Sequence, residues 1–95
     1  MHLTLAPAAA ARVARNGRNA EYLSGEEPLL GGAMGAAYVR GVQSMGVAAV
    51  AKHFAVNTQE NFRTTSDAHV TERALFEVYL APFLACVEAG VASVM

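Results

Sequence analysis

A lysine–histidine pair that directly follows a short apolar run is the pattern in this chain most typical of a ligand site. The run, residues 47–51, has no polar interruption, which predicts a strand buried on both faces. Lys52 and His53 come next, and α/β folds bind ligands beyond the carboxyl ends of their strands. Lysine donates hydrogen bonds and histidine donates or accepts them, so the pair could hold adjacent hydroxyls of a sugar. The structural alternative is an acid partner for Lys52 and a backbone partner for His53.

Two arginines lie in long irregular stretches that follow predicted strands. Arg18 comes after the first strand, and its planar fork of donors suits carboxylates or paired sugar hydroxyls. The alternative for Arg18 is an arginine exposed to solvent. Arg63 belongs to the stretch after Lys52 and could fold back over the same site. That stretch also contains polar side chains that could simply structure the loop through bonds to its backbone, namely Asn57, Gln59 and Glu60.

The remaining chemistry-bearing residues form weaker patterns. Asp67 and His69 could pair as a carboxylate–imidazole dyad, although a turn or capping role for Asp67 is favoured. The histidines and the single cysteine, Cys86, show no metal-ligand spacing, so we predict no structural metal. Cys86 falls inside a predicted helix, where a buried apolar role is expected. We find neither a glycine-rich phosphate loop nor a serine in a nucleophile elbow.

The composition favours a protein that packs against more protein. The chain has 95 residues, of which 54% are hydrophobic and 16% are charged, against a usual charged share of about 25%. This deficit of charge suggests that part of the surface is covered by other protein. The formal net charge of −1 gives no reason to expect nucleic acid or an anionic membrane as a partner. No apolar stretch is long enough to span a bilayer.

Helix and strand signals alternate along the chain. We predict strands at residues 3–6, 47–51 and 91–95, with long loops at 12–25 and 54–66. Residues 26–28 open the first predicted helix and Gly46 caps it, while Thr71 opens the second and Gly90 caps it. Pro82 should kink or split the second helix. Apolar spacing assigns the buried faces: Leu30, Met34, Ala37/Tyr38, Gly41/Val42 and Met45 in the first helix, and Leu75, Tyr79, Phe83 and Val87 in the second.

This alternation predicts an α/β fold with a parallel sheet. Strands that alternate with helices form right-handed βαβ units. The connections after the strands are long and those after the helices are short, which is the asymmetry of a (β/α)₈ TIM barrel. Three strands cannot close such a barrel, which takes about 250 residues. We therefore interpret the chain as a β-α-β-α-β slice of a barrel, with a free-standing βαβαβ domain as the alternative.

Several motifs, in order, resemble glycoside hydrolase family 3. The segment GRNAEYLS at 17–24 followed by EPLL at 27–30 resembles the family's GRNFE…S-E-D-P-L-L segment. The segment KHFAVN at 52–57, with Gln59, Glu60 and Arg63, is similar to its KHFAxNNQExxR loop. The helix that starts with VTER at 70–73 and the final Val94 and Met95 are similar to further family segments. The resemblance implies that residues 1–95 are an internal fragment of the amino-terminal barrel domain of a β-glucosidase-like enzyme.

The resemblance also implies roles for individual residues. Arg18, Lys52, His53 and Arg63 would hydrogen-bond the hydroxyls of the sugar in the cleaved subsite, and Met95 would touch the same sugar. The parent enzyme would be a retaining O-glycosyl hydrolase that acts on terminal β-D-glucosides or related glycosides without a cofactor. Its Asp nucleophile and its Glu acid/base would lie outside this chain. The isolated chain is therefore expected to be inactive and to require the remainder of its barrel and a second domain.

The chain departs from the family pattern in places. Ala20 replaces an aromatic residue, Gly25 looks inserted, and Thr58 and Phe62 replace polar residues of the second loop. N-acetylglucosaminidases of the family carry a catalytic histidine in a KHFPGHG loop, and the Gly-His-Gly is missing here, so the glucosidase-like branch is favoured. The alternative to an enzyme part is a non-catalytic βαβαβ binding module or a truncated remnant.

Overall fold

The three strands form one parallel sheet in the computed structural model, which describes residues 2–5, 15–24 and 26–95. These strands are β1 (His2–Leu5), β2 (Ala48–Ala51) and β3 (Ser93–Val94), and their order in the sheet is β1-β2-β3. Leu5 is in register with Ala51, and Ala51 with Val94. The predicted α/β class and the parallel β-α-β-α-β arrangement are therefore confirmed. The third strand is shorter than residues 91–95, and the predicted position Ala6 lies outside the described residues.

Helix α1 (Pro28–Ser44) connects β1 to β2 and has the predicted ends. Glu27 is the N-cap, and its carboxylate accepts hydrogen bonds from the backbone amides of Leu29 and Leu30. A proline at the first helical position has no amide hydrogen to leave unsatisfied there. Gly46 adopts a φ of +73° just beyond the helix, a conformation that glycine takes at little cost. These local signals fix where the connection turns back into β2.

The predicted buried face of α1 is wrong by about one position. The buried residues are Gly31, Gly32, Gly35, Ala36 and Val39, while Leu30, Met34 and Met45 are 50%, 41% and 80% exposed. Tyr38 and Val42 are partly buried against the core. The physical reason is close packing, because a Cβ added at Gly32 would lie 3.1 Å from the Cβ of Ala85 in the neighbouring helix. Small side chains let the two helix backbones approach, and the larger apolar side chains are left outside.

The second connection is a helix in three parts, as Pro82 predicts. It comprises α2 (Glu72–Ala74), a π-helical segment (Leu75–Leu80) and α3 (Ala81–Glu88). Thr71 caps its start, with Oγ1 accepting from the amide of Ala74 at 3.3 Å. Pro82 donates no backbone hydrogen bond, and its ring excludes the usual α-helical carbonyl position of the preceding turn. The wider π turn therefore ends where proline starts a new α-helical stretch, and Gly90, at φ +82°, follows α3.

The core lies between the sheet and the two long helical connections. It consists of Val39, Ala49, Ala51, Phe83 and Cys86, each no more than 3% exposed. The burial predicted for Cys86 is confirmed, and it raises the pKa of the thiol. In the second helix Tyr79 and Phe83 are buried as predicted. The prediction for Val87 is wrong, since this residue is 55% exposed, and Cys86, three positions after Phe83 on the same face of α3, is buried instead. No helix of the described ranges combines the length and apolar character needed to cross a membrane.

Gln43 joins the end of α1 to the starts of two strands. Its Oε1 accepts from the amides of Ala92 at 3.0 Å and Ala49 at 3.4 Å, and its Nε2 donates to the carbonyl of Gly90 at 2.9 Å. Replacing Gln43 with alanine is expected to lower the free energy of unfolding by about 1–2 kcal/mol, because these backbone groups lose their partners. Thermal denaturation of the purified intact protein that carries this chain measures the change. Ser44→Ala, which removes one exposed hydrogen bond within α1, is the control, and an equal effect of both would contradict this role.

Candidate functional site

The candidate site lies at the edge of the sheet where the strands end. Lys52 and His53 directly follow β2, and Met95 directly follows β3. The amide of Met95 donates to the carbonyl of Ala51 at 2.9 Å, and the amide of Phe54 donates to the carbonyl of Met95 at 2.8 Å. Because all three strands are parallel, the segments that follow them emerge on one side of the sheet. The sheet thus brings together the loops that carry the predicted site residues.

The first of these loops, residues 15–24, presents Arg18 and Glu21 to that edge. The Oδ1 of Asn16 accepts from the amide of Arg18 at 2.9 Å, a local bond that turns the backbone. A short 3₁₀ turn, Asn19–Glu21, follows it. Arg18 and Glu21 are three positions apart across this turn, which places their side chains together. Arg18 is only 8% exposed although it belongs to a loop, so it is not the solvent-exposed arginine of the alternative interpretation.

Glu21 binds two of the predicted sugar-binding residues at once. The Nζ of Lys52 lies 2.6 Å from Oε2 of Glu21. Arg18 donates from Nε to Oε1 at 3.2 Å and from Nη2 to Oε2 at 3.3 Å. Hydrogen bonds from Lys52 and then Arg18 lower the pKa of Glu21 from 4.5 to about 2. Glu21 is therefore ionised at neutral pH and is unsuited to be the general acid of a glycosidase, which needs a raised pKa.

His53 is held between Arg18 and Tyr22. Nη2 of Arg18 lies 2.9 Å from Nε2 of His53, and the hydroxyl of Tyr22 lies 3.1 Å from Nδ1. Arginine can only donate, so Nε2 accepts and the ring proton resides on Nδ1, facing Tyr22. The Tyr22 hydroxyl in turn donates to the carbonyl of Asn57 at 3.4 Å. A sugar hydroxyl that bonds to Nε2 must replace Arg18 there.

The surroundings keep the imidazole of His53 and the phenol of Tyr22 uncharged. Burial, followed by the positive charges of Arg18 and Lys52, lowers the pKa of His53. Burial raises the pKa of Tyr22. The imidazole is thus neutral at pH 7, as its acceptance of a bond from arginine requires.

Glu60 links Arg18 to Arg63. Its Oε1 forms an ion pair with Nη1 of Arg18, and its Oε2 lies 3.6 Å from Nη1 of Arg63. The side chain of Arg63 is 60% exposed, whereas that of Arg18 is 10% exposed. Within the described residues, Nη1 of Arg18 has no well-aligned hydrogen-bond acceptor. Arg63 is therefore connected to the other predicted residues, but at the solvent-facing side of the cluster.

The structure brings together four of the five predicted site residues: Arg18, Lys52, His53 and Arg63. Met95 stands at the same edge, but its side chain lines a different feature. This feature is an apolar cavity of about 680 Å³ that Phe54, Phe83 and Val94 also line. The polar cluster and the apolar cavity are thus neighbours that are joined by the backbone of Met95 and Phe54.

The alternative interpretation of Lys52, an acid partner, is found in the structure, where that acid is Glu21. The acids that organise the cluster are not among the predicted site residues. Glu21 lies in the GRNAEYLS motif, and its spacing of three from Arg18 is the sequence signal that indicates this pairing. Glu60 belongs to the loop motif that begins with KHFAVN, and its carboxylate pairs with two arginines rather than only with loop backbone. The suspected dyad partners Asp67 and His69 do approach, at 3.3 Å, but their side chains are 83% and 89% exposed. Within the described ranges no group of three or more His, Cys, Asp or Glu residues is placed to hold a metal ion.

Comparison with known proteins identifies a family along the whole chain. The family model "Glycosyl hydrolase family 3 N terminal domain" matches residues 1–95. The β-glucosidase BoGH3A of Bacteroides ovatus is 48% identical over 79 residues, which are 83% of this chain and 10% of that protein. A β-glucosidase of Rhizobium radiobacter is 52% identical over 81 residues, which are 84% of this chain and 10% of that protein.

Solved structures show the same similarity. DesR, a β-glucosidase from Streptomyces venezuelae in complex with D-glucose, matches 97% of this chain with a TM-score of 0.84 and 38% identity. The β-glucosidase D2-BGL from Chaetomella raphigera matches 95% with a TM-score of 0.88 and 36% identity. The chain covers 11% and 12% of these two proteins, and so spans about a tenth of the length of the relatives that it matches. This chain belongs to glycosyl hydrolase family 3, in the N-terminal domain of that family.

Proposed function

We propose that this chain is the sugar-holding part of a retaining β-glycosidase that hydrolyses terminal β-D-glucosides or related glycosides. In this proposal residues 1–95 form an internal fragment of the N-terminal barrel domain. Arg18, Lys52, His53 and Arg63 bind the hydroxyls of the sugar in the cleaved subsite, and Met95 touches the same sugar.

The observation that carries the proposal is the set of hydrogen-bonding groups gathered at the carboxyl edge of the sheet. Arg18, Lys52 and His53 come from two different loops, yet Arg18 contacts His53 directly and Glu21 binds both Arg18 and Lys52. A lysine ammonium has three donors, and the bond to Glu21 uses one of them. Donors that are already fixed in place suit a polyhydroxylated ligand, because binding then costs less side-chain entropy.

Among the described residues, the site lacks the pair of carboxyl groups that the bond-breaking step needs. Retaining glycosidases use two carboxyl groups about 5–5.5 Å apart, one as nucleophile and one as acid/base. Glu21, which is bound by two cations, and Glu60, which is paired with two arginines, serve to hold donors instead. In this proposal the nucleophile and the acid/base come from other parts of the parent protein, and the isolated chain positions a sugar without cleaving it.

The stereochemistry of the first product tests this function. The intact protein that carries this chain is incubated with an aryl β-glucoside, and ¹H NMR follows the anomeric signals of the released glucose. We expect β-glucose to appear first, because a retaining mechanism inverts the anomeric carbon twice. The isolated 95-residue chain is expected to release none.

Other outcomes would overturn the proposal. Release of α-glucose first would contradict a retaining mechanism. No hydrolysis by the intact protein, together with a cooperative thermal transition of the isolated chain, would favour a non-catalytic βαβαβ module. An aryl α-glucoside serves as the control substrate and should not be cleaved.

A further inference from the structure

Glu21 stands out because one carboxylate serves two ligand-binding candidates. Its Oε2 accepts from both Lys52 and Arg18, at 2.6 Å and 3.3 Å, while its Oε1 accepts from Nε of Arg18 at 3.2 Å. Together the two oxygens match the guanidinium fork, a geometry that fixes orientation as well as distance. Glu60, in comparison, contacts Arg18 and the more exposed Arg63 but does not reach Lys52.

The negative charge of Glu21 also allows the cations of Lys52 and Arg18 to lie close together. Lys52 and Arg18 share the oxygen Oε2, so their nitrogen atoms are close neighbours. Two like charges at that separation repel each other, and an anion between them removes the penalty. Without the carboxylate the flexible lysine chain is free to swing into solvent, since its side chain has several rotatable bonds. The position of both donors therefore depends on the ionised Glu21.

We propose that Glu21 is a positioning residue, which holds Lys52 and Arg18 in the arrangement that binds the sugar. This inference rests on the proposed function, because it assigns Glu21 a role through two residues that bind sugar there. Glu21 does not itself contact the reacting atoms. Its carboxylate is engaged with the two cations, and its task is to keep the Lys52 ammonium and the Arg18 guanidinium side by side.

The test compares Glu21→Gln with the unaltered intact enzyme on an aryl β-glucoside. We expect kcat/KM to fall by at least ~10-fold, since small misplacements of binding groups reduce rates by about that much or more. The inhibition constant for glucose should rise as well, because the same donors bind the product. A purely structural defect would lower the active fraction, which reduces kcat and leaves KM and the inhibition constant unchanged. That last result would overturn the positioning role.

A double-mutant cycle shows whether Glu21 acts through Lys52. In a Lys52→Ala background we expect Glu21→Gln to lower kcat/KM by a smaller factor than in the unaltered enzyme, because only the part of its effect that acts through Arg18 remains. Equal fold-losses in both backgrounds would overturn the inference. Glu77→Gln is the matched control, since Glu77 pairs with Arg73 at 3.1 Å on the exposed surface outside the site. It should leave kcat/KM and the inhibition constant unchanged.

The result separates this inference from the proposed function. If Lys52→Ala and Arg18→Ala lower kcat/KM while Glu21→Gln does not, the positioning role alone fails. If none of the three variants changes kcat/KM, the proposed function of the site fails with it.

Discussion

Under the proposed function, replacing Lys52 with alanine in the intact protein is expected to lower kcat/KM on an aryl β-glucoside by at least ~10²-fold, which is about 2.7 kcal/mol. The side chain of Lys52 is only 19% exposed and is fixed at 2.6 Å from Glu21, so its remaining donors are directed rather than mobile. Alanine removes those donors and also leaves Glu21 with one cation fewer. Steady-state kinetics measures the loss.

Arg18→Ala should have an effect of the same size for a related reason. The Arg18 guanidinium contacts Glu21, His53 and Glu60, so its loss frees three groups of the cluster at once. Arg73→Ala is the control, because Arg73 is an arginine with 84% side-chain exposure that pairs only with Glu77 among the described residues. Values of kcat/KM close to wild type for both Lys52→Ala and Arg18→Ala would contradict the sugar-binding role.

The second large effect concerns the core beneath the site. Phe83→Ala is expected to lower the free energy of unfolding by about 3–5 kcal/mol, because it removes a buried ring and leaves a cavity. Phe83 is 3% exposed and packs with Val39, Ala51 and Cys86. Its ring also meets Phe54 edge to face, with centroids 5.3 Å apart. Urea denaturation of the purified intact protein that carries this chain measures the change in stability.

Phe62→Ala is the matched control for Phe83→Ala. It removes the same side chain from a position that is 81% exposed, so the expected change in stability is within about 0.5 kcal/mol. Losses of similar size for the two variants would show that the assigned core is wrong. Phe83 supports the ring of Phe54, which directly follows His53. The Phe83→Ala variant should therefore also lose activity, because the loop that carries His53 loses this support.

The order of elements could be predicted from the sequence because local signals determine it. Pro28 marks a helix start because its φ is restricted, and Gly46 and Gly90 mark helix ends because glycine adopts a positive φ at little cost. Both effects act within a few residues. Pro82 acts in the same local way on the second helix. The alternation of strands with helices then predicts a parallel sheet. Such features need no knowledge of what lies across the fold.

The buried face of α1 could not be predicted in this way. Periodicity counts large apolar residues, and it selected Leu30, Met34 and Met45. The packed face instead uses Gly32 opposite Ala85, where only a small side chain permits the observed approach. That choice depends on a partner helix roughly fifty residues away along the chain, and close packing between backbones leaves no apolar period in the sequence.

The candidate site could be predicted only in part. The nearness of Arg18, Lys52 and His53 follows from parallel strands, whose carboxyl ends share one edge. The ion pairs of Glu21 and Glu60 depend on how two loops face each other, which residue spacing does not encode. The protonation of His53 is likewise a property of its neighbours, because Arg18 forces Nε2 to accept.

The bonds between the two loops have a mechanical consequence. Lys52 to Glu21, Glu60 to Arg18, and Tyr22 to both His53 and Asn57 are four links between segments that are far apart along the chain. These links between the loops mean that the two loops hold each other in place and do not move independently. A deletion or an added residue in either loop should therefore shift the donors that both loops supply. Variation in loop length, tolerated elsewhere on a protein surface, would here change the shape of the whole site.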